Sequence, residues 1–289
     1  MTPARETYAY LAELTGSPET GFTVGAFNGP TGGSYLEEFD TDGTASVGER
    51  LYYSAFNFPV TLEGFSAAGD PVFRLSRRYY LVSNSPLTDG ANIGFTTTGT
   101  YAFCFAPGTG IATPAGEVAV ERLSIGDPIL TADGRSVPVR WIGRQTLSKL
   151  FAGDRARPVL IRAGALGQGL PHRDLTVTAD HGMILDGLVI NAGALVNGTT
   201  ITRLALSVLP ASVTNYHVET EAHDVILAHG APTETFISYA GRAAFDNHAE
   251  YLALYGADRG MAELPLPRIT CARQIPTALR IRLGPPHAA

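Results

Sequence analysis

Short runs of alternating apolar and polar residues, separated by glycine- and proline-containing turns, are the feature that most limits how this chain can fold. Runs rich in β-branched and aromatic residues occur at 21–27, 50–65, 77–82 and 99–105, a composition typical of strands. Turn signals such as "AAGDP" and "LTDGAN" separate the runs. Because strand side chains point alternately to two faces, such runs bury one face. Residues 1–103 are therefore predicted to form a small antiparallel β domain.

Strand-like runs continue through the middle of the chain, and one helix is predicted near its end. The runs include "VPVRWIG", "DLTVTA", "GMILDG" and "DVILAHG". The helix is predicted over 246–256, with Asp246 or Asn247 as its N-cap and Gly256 as its stop. Its expected apolar face comprises Ala249, Leu252 and Tyr255. The predicted fold class is all-β, with residues 241–289 forming a short helix and an irregular tail.

The composition argues against several classes of protein. A net charge of −6 over 289 residues argues against a nucleic-acid-binding surface, which is usually basic. No apolar run reaches the roughly 20 residues of a membrane-spanning helix. The N-terminus lacks the basic segment and apolar core of a secretory signal peptide. We therefore expect no nucleic-acid partner and no membrane span, in a protein that is either cytoplasmic or exported by a signal-independent route.

Cys104 is the residue that most needs a chemical explanation. The chain has two cysteines, too few for a disulfide framework, and Cys271 has no motif around it and is interpreted as structural. Cys104 lies in "FCFAPGTG", at the end of a strand-like run. A lone cysteine is often a small buried hydrophobic residue, but its thiolate is also a strong nucleophile. Both interpretations are open on this motif alone.

Two further motifs contain histidines. "TVTADHGMIL" places Thr178 and His181 three residues apart, where a strand ends in a tight bend; taken alone, each is more often an ordinary structural residue. His217, His223 and His229 recur every six residues and would share one face of an unbroken strand, but "ETEA" interrupts that strand. No carboxylate or cysteine completes a recognisable ligand spacing around them, so no metal or cofactor is predicted there.

The N-terminal part holds a weak calcium candidate. "EFDTDGTASVGE" partly matches an EF-hand loop, with Asp40, Asp42 and Glu49 at ligand positions. The first position is Glu38 rather than aspartate, and the flanks are strand-like rather than helical. The alternative is a plain turn between strands, and the sequence favours it.

A faint repeat links two segments of the second part. "GEVAVERLSIGDPI" (116–129) and "GLVINAGALVNGTTI" (187–201) carry glycine, valine, leucine, glycine and isoleucine in the same order, with one extra residue in the second segment. Such a repeat predicts two related β halves.

Taken in order along the chain, these motifs resemble a Hint domain, the autoprocessing module shared by hedgehog proteins and inteins. The resemblance rests on Cys104 and the "GTGIAT" run after it, on "VERLSIGDPILTADG", on the block from Thr178 to His181, and on "YHVETEAHDVILAHG", in which His223 takes the place of the family's late histidine. It covers residues 104–240 and is closest to bacterial intein-like Hint proteins. It implies an all-β horseshoe of two pseudo-symmetric halves, preceded by residues 1–103 as cargo.

The resemblance implies cleavage of the chain's own backbone. Cys104 would attack the carbonyl carbon of Phe103 and turn the 103–104 peptide into a thioester, so the N-terminal segment is the substrate. By analogy with the family, His181 protonates the departing amide nitrogen. Thr178, again by analogy, donates a hydrogen bond to the developing oxyanion or twisted peptide. Water or another small nucleophile would then resolve the thioester, and no cofactor is implied.

Two more residues are candidates for supporting roles in this scheme. Asp180 could orient His181, although neighbours in a bend often point apart. His223 could assist proton transfer in the second step.

The family pattern is incomplete, and two other functions stay open. Inteins end in His-Asn followed by a nucleophile, whereas here "ILAHG" is followed by "APTETFISYAG", so full protein splicing is not predicted. Residues 241–289 are too polar and too short to be assigned as a lipid-recruiting segment. The alternatives are a Hint-like binding or surface module that does not cleave, and a cysteine hydrolase that acts in trans through Cys104 and His181.

Overall fold

The chain forms two compact units. The computed structural model describes residues 5–38, 50–66, 70–84, 86–96, 103–149, 157–236 and 242–284. The first unit comprises Met1–Tyr101, Thr146–Arg155 and Leu206–Val213, and the second comprises Ala102–Gln145, Ala156–Ala205 and Thr214–Ala289. Strands dominate, and the described ranges contain only two α-helices. The predicted all-β fold class is confirmed.

The sheet of the N-terminal unit is antiparallel throughout. Its strands are β1 (Arg5–Ser17), β2 (Gly21–Glu38), β3 (Arg50–Tyr53), β4 (Phe58–Ser66), β5 (Pro71–Leu75), β6 (Arg78–Ser83), β7 (Asn92–Ile93) and β8 (Phe95–Thr96). They lie in the order β1-β6-β5-β4-β3-β2-β7, with β8 against β4. Because β1 also pairs with β2, the sheet closes on itself.

The core of this unit follows the alternation seen in the sequence. On β4, Val60 and Leu62 are buried, whereas Pro59 and Thr61 are partly exposed. The buried hydroxyls of Ser34 and Tyr53 are hydrogen-bonded to each other, with their oxygens 2.8 Å apart. The predicted runs at 21–27, 50–65 and 77–82 therefore contain strands, whereas most of the predicted run at 99–105 lies outside the described residues.

Among the described residues, the remaining strands form four sheets. They are β9 (Gly110–Thr113), β10 (Gly116–Ala119), β11 (Pro128–Leu130), β12 (Ser136–Pro138), β13 (Trp141–Ser148), β14 (Val159–Ile161), β15 (Leu175–Val177), β16 (Gly182–Leu185), β17 (Leu188–Asn191), β18 (Ile201–Arg203), β19 (Ser212–Glu219), β20 (Val225–Ala228), β21 (Ala231–Glu234) and β22 (Arg268–Ile269). A seven-stranded sheet runs in the order β10-β9-β20-β21-β16-β17-β22. The smaller sheets are β11-β12, β13-β19 and β15-β14-β18.

The two repeat segments fold in the same way. In the first, β10 leads into a 3-10 turn at Val120–Arg122 and then into β11. In the second, β17 leads into a 3-10 turn at Ala192–Leu195 and then into β18. The repeat in the sequence therefore corresponds to a repeated strand, turn and strand.

The predicted helix is present, but its buried face differs from the prediction. Helix α1 (His248–Tyr255) begins after Asn247 and ends at Gly256, whose φ is 78°. The residue that it buries is Tyr251, which packs edge-on against the ring of Trp141 with centroids 5.3 Å apart. The predicted face is wrong at Ala249 and Leu252, which are exposed, whereas Tyr255 is half-buried and packs against the cluster that contains Tyr251.

The C-terminal segment is more ordered than its proline-rich sequence indicates. Strand β22 pairs in parallel with β17. A second helix, α2 (Thr277–Leu283), follows Pro276 and buries Leu279 and Leu283. The described part of the tail, 242–284, therefore belongs to the folded second unit.

The last two expectations from the sequence concern a calcium site and a membrane-spanning helix. The calcium candidates Asp40, Asp42 and Glu49 lie outside the described residues. In the part of the chain that the structure describes, no helix has the length and hydrophobicity to cross a bilayer.

Candidate active site

Backbone pairing brings Cys104 next to the bend that follows β15. The next residue, Phe105, forms antiparallel bridges to both Tyr216 and Val177. Its N–H donates to the Tyr216 carbonyl over 2.7 Å, and the Tyr216 N–H donates back over 2.9 Å. Since Val177 ends β15, this pairing fixes Cys104 beside Thr178.

The Cys104 thiol lies in an apolar environment. Cys104 is fully buried in a cluster with Trp141, Phe236, Phe245 and Tyr251. Burial, and to a smaller degree the charge of Asp246, raise the pKa of the Cys104 thiol well above its usual value. The thiol is therefore protonated at neutral pH, and a base must remove its proton before it can act as a nucleophile.

Thr178 binds the backbone of Cys104 from both sides. The Cys104 N–H donates to Oγ1 of Thr178 over 2.8 Å. The Thr178 N–H donates to the Cys104 carbonyl over 2.9 Å. In the described state the Thr178 hydroxyl thus accepts from the nitrogen of the 103–104 peptide, and the Thr178 N–H binds the carbonyl of the following 104–105 peptide.

The ring of His181 is held by Thr233, so its tautomer can be assigned. Nε2 of His181 lies 2.7 Å from Oγ1 of Thr233. The Thr233 hydroxyl donates its own proton to the carbonyl of Gly182 over 2.9 Å, so it must accept from Nε2–H. In the neutral ring, Nδ1 therefore keeps its lone pair. The Phe105 ring, 4.3 Å away between centroids, packs against the imidazole.

The same imidazole lies against the scissile peptide predicted from the sequence. Nδ1 of His181 makes no hydrogen bond of normal geometry within the described residues, but the ring interacts with the backbone of Phe103 in a way that raises its pKa. Burial outweighs this effect and the charge of Glu234, and lowers the pKa of His181 to about 4.

Acid is expected to destabilise the fold through His181. Its pKa is about 4 in the folded chain against 6.5 for an ordinary histidine, so its contribution to stability is complete above pH 6.5 and is lost as the pH falls towards 4. Between pH 7 and pH 5, this one group should lower the free energy of unfolding by about 2 kcal/mol.

Urea unfolding of the Cys104→Ala chain at the two pH values measures this loss. The same chain with His181→Gln should lose about 2 kcal/mol less over that interval. Equal losses in both chains would contradict the assignment of His181 as a buried neutral ring. Glu234, whose pKa is lowered to about 2, contributes only below pH 4.5 and leaves the comparison unaffected.

Glu234 is a buried carboxylate that connects the bend to the C-terminal segment. Its Oε1 accepts from the Gly182 N–H over 2.8 Å, and both of its oxygens accept from the guanidinium of Arg268. Nε2 of His223 lies 3.3 Å from Oε2. These partners, rather than water, compensate for the burial of the charge and lower its pKa.

His217 adds a second buried imidazole beside the first. The rings of His181 and His217 lie edge to face with centroids 5.7 Å apart, and neither nitrogen of His217 has a hydrogen bond among the described residues. Burial, and next the neighbouring His181, lower the pKa of His217 well below its usual value. Both rings are therefore neutral at pH 7.

The structure brings Phe103, Cys104, Thr178 and His181 together, and it gives the other candidates different neighbours. The exposed carboxylate of Asp180 accepts from the side chain of Asn191 over 3.2 Å. His223 accepts from the Leu264 N–H through Nδ1 over 3.0 Å, in addition to its contact with Glu234. The orienting role of Asp180 and the assisting role of His223 stay predictions.

Sequence reasoning missed four residues of this site. They are Thr233, Glu234, Arg268 and, as a neighbour of His181, His217. The "APTETF" run after the late histidine carries a threonine and a glutamate in a β-strand, and that was the available signal for the first two. Arg268 lies 34 residues beyond Glu234, and only the fold brings them together.

No curated protein matches the chain. Two crystal structures of the MchDnaB-1 intein are similar to it at 21% and 20% identity, with TM-scores of 0.34 and 0.33, and the similarity covers 46% and 45% of this chain and 99% and 98% of those chains.

A comparison with protein families identifies the domain that contains Cys104 and the T-x-x-H bend. The Hint domain family model matches residues 103–240, a span that starts at Phe103 and includes both the T-x-x-H bend and the late histidine. The chain thus carries, over residues 103–240, a Hint domain, the self-processing module that hedgehog proteins and inteins share.

Proposed function

We propose that the chain cleaves its own backbone between Phe103 and Cys104 and releases residues 1–103 from the Hint domain. The observation that carries the proposal is that one bend contacts both sides of this peptide bond. The ring of His181 interacts with the Phe103 backbone, and Thr178 accepts from the Cys104 N–H.

The first step exchanges an amide for a thioester. The Cys104 thiol gives its proton to Nδ1 of His181, and Sγ forms a bond to the carbonyl carbon of Phe103. His181 then gives that proton to the Cys104 nitrogen as the carbon–nitrogen bond breaks. The step is an isomerisation in which the chain supplies every atom, and holding both groups in one fold replaces a bimolecular encounter.

The low pKa of His181 favours the second half of this proton transfer and makes the first half uphill, because both the raised pKa of the Cys104 thiol and the lowered pKa of the ring oppose it. At pH 7 the ring is neutral, so its Nδ1 lone pair can accept the thiol proton. Once protonated, a ring whose pKa is about 4 is a strong acid and readily protonates the departing amine. The negative charge of Glu234 favours the transient imidazolium.

Water completes the reaction. It attacks the thioester carbonyl, the carbon–sulfur bond breaks, and the products are a Phe103 carboxylate and a chain that begins with Cys104 and its free thiol. We propose cleavage without splicing, because no His-Asn pair follows the "ILAHG" strand.

Incubation of the purified chain with dithiothreitol tests the proposal. A small thiol should intercept the thioester, and mass spectrometry should find two fragments, residues 1–103 and 104–289. A chain that stays intact under these conditions would instead favour a binding or surface module. Turnover of an added ester would favour a hydrolase acting in trans, which the complete burial of Cys104 argues against.

Thr233 should control the rate by holding the reactive tautomer of His181. Thr233→Val keeps the shape but removes the acceptor for Nε2–H, and a lost hydrogen bond of about 1–1.5 kcal/mol corresponds to roughly 10-fold slower cleavage. Thr233→Ser should restore most of the rate. The ring-nitrogen NMR shifts of His181 should report more of the other tautomer in the valine variant, and equal rates for the valine and wild-type chains would refute this role.

A further inference from the structure

A group of three side chains on the second unit, away from the Cys104 bend, has the donors of a metal site. Glu117 is on β10, His172 is in the segment before β15, and His229 is in the turn after β20. One ligand atom from each lies within 4.8 Å of the other two. We propose that Glu117, His172 and His229 bind a divalent transition metal ion of the Zn²⁺ class.

The distances between the ligand atoms fit a tetrahedral ion. Two ligand atoms at 2.0–2.1 Å from a tetrahedral Zn²⁺ lie about 3.3 Å apart. Nε2 of His172 lies 3.2 Å from Glu117, and Nδ1 of His229 lies 3.7 Å from Oε2 of the same carboxylate. Small side-chain rotations would close the remaining gap, and two imidazoles with one carboxylate are a donor set that Zn²⁺ accepts.

The buried nitrogen of His229 is an independent observation in favour of a ligand. His229 is 6% exposed, and its Nδ1 has no hydrogen-bond partner among the described residues. An unsatisfied buried polar atom is costly, and a metal ion would satisfy it.

The backbone around the three side chains is built to hold them close. The His172 N–H donates to the His229 carbonyl over 3.0 Å, and the His229 N–H donates to the Gly110 carbonyl over 2.8 Å. A Cβ at Gly230 would lie 2.9 Å from Nδ1 of His172, and one at Gly110 would lie 2.8 Å from the Glu117 carboxylate. Glycine at these two positions leaves the space that the ligands occupy.

Metal ligation through Nδ1 of His229 would break one hydrogen bond, the one from the Gly110 N–H to Nε2 of the same ring. The Gly110 N–H donates to Nε2 of His229 over a long 3.3 Å, and metal binding at Nδ1 would place the ring proton on Nε2 and break this bond. Glu117 and His172 are exposed, so water can occupy the fourth position. The site is thus a three-ligand site whose fourth position is open to water.

Calorimetric titration of the full chain with Zn²⁺ at pH 7 tests the proposal. Binding of one ion per chain is expected, and the amide resonance of Gly110 should shift. Loss of an outer partner of a metal typically costs about 10- to 100-fold in affinity, so Glu117→Gln and His172→Ala, which remove direct ligands at exposed positions, should each weaken binding at least 100-fold. His248→Ala, which removes a histidine paired with Asp258, is the matched control and should bind like the wild type.

Three outcomes would overturn the proposal. The first is no binding at 100-fold excess of Zn²⁺ over protein. The second is undiminished binding in both Glu117→Gln and His172→Ala. The third is binding that disappears only in Cys104→Ala, because the ion would then be held by the thiol. None of these outcomes depends on whether the chain cleaves itself.

Discussion

Replacing Cys104 with alanine is expected to abolish release of residues 1–103. The substitution removes the sulfur that attacks the Phe103 carbonyl, and it leaves the apolar cluster with Trp141 and Phe245 with only a small loss of volume. Mass spectrometry of the variant after incubation with dithiothreitol should find the intact 289-residue chain, whereas the wild type yields two fragments.

A second thiol in the same chain provides the control for this experiment. Cys271 is half-buried and has no part in the proposed chemistry, so Cys271→Ala should cleave at the wild-type rate. Cleavage between Phe103 and Cys104 that persists in Cys104→Ala would show that another group is the nucleophile.

His181→Gln is expected to slow cleavage by about 100- to 10,000-fold, the usual contribution of a general acid–base group. Glutamine can still accept and donate hydrogen bonds near Thr233 and Phe103, but it cannot carry a proton from the thiol to the amine. The rate constant is measured as the appearance of the 104–289 fragment over time.

His248→Gln is the matched control for this substitution. His248 is paired with Asp258 over 3.0 Å on helix α1, and its loss should leave the rate unchanged. A His181→Gln chain that cleaves within a few-fold of the wild-type rate would exclude the imidazole as the proton carrier. Far-UV circular dichroism would show whether the two variants fold alike.

Local patterns in the sequence were enough to predict the fold class and the ends of helix α1. Alternation with a period of two is a property of neighbouring residues, as at Val60 and Leu62, and so is the glycine stop at Gly256. The T-x-x-H bend is equally local, because Thr178 and His181 are three residues apart. The resemblance to a family then connected this bend with Cys104, 74 residues earlier.

Contacts that depend on tertiary packing could not be read from the sequence. The buried residue of helix α1 is Tyr251, which packs edge-on against Trp141, and the helix's own period does not reveal this contact. Nothing in the local sequence distinguishes Arg268 from a surface arginine. The pairing of β22 with β17 places it beside Glu234. The three proposed metal ligands, Glu117, His172 and His229, share no spacing in the sequence, because they lie on three separate segments.

The most direct test of the central claim is to trap the acyl group on sulfur. Dilute hydroxylamine at neutral pH reacts with thioesters and leaves peptide bonds intact, so adding it under these conditions to the freshly purified wild-type chain should release an N-terminal fragment that ends at Phe103 as a hydroxamate. The account predicts that mass at the rate of thiol-induced cleavage. An N-terminal fragment that ends at another residue, or a chain that hydroxylamine and thiols both leave intact, would contradict it.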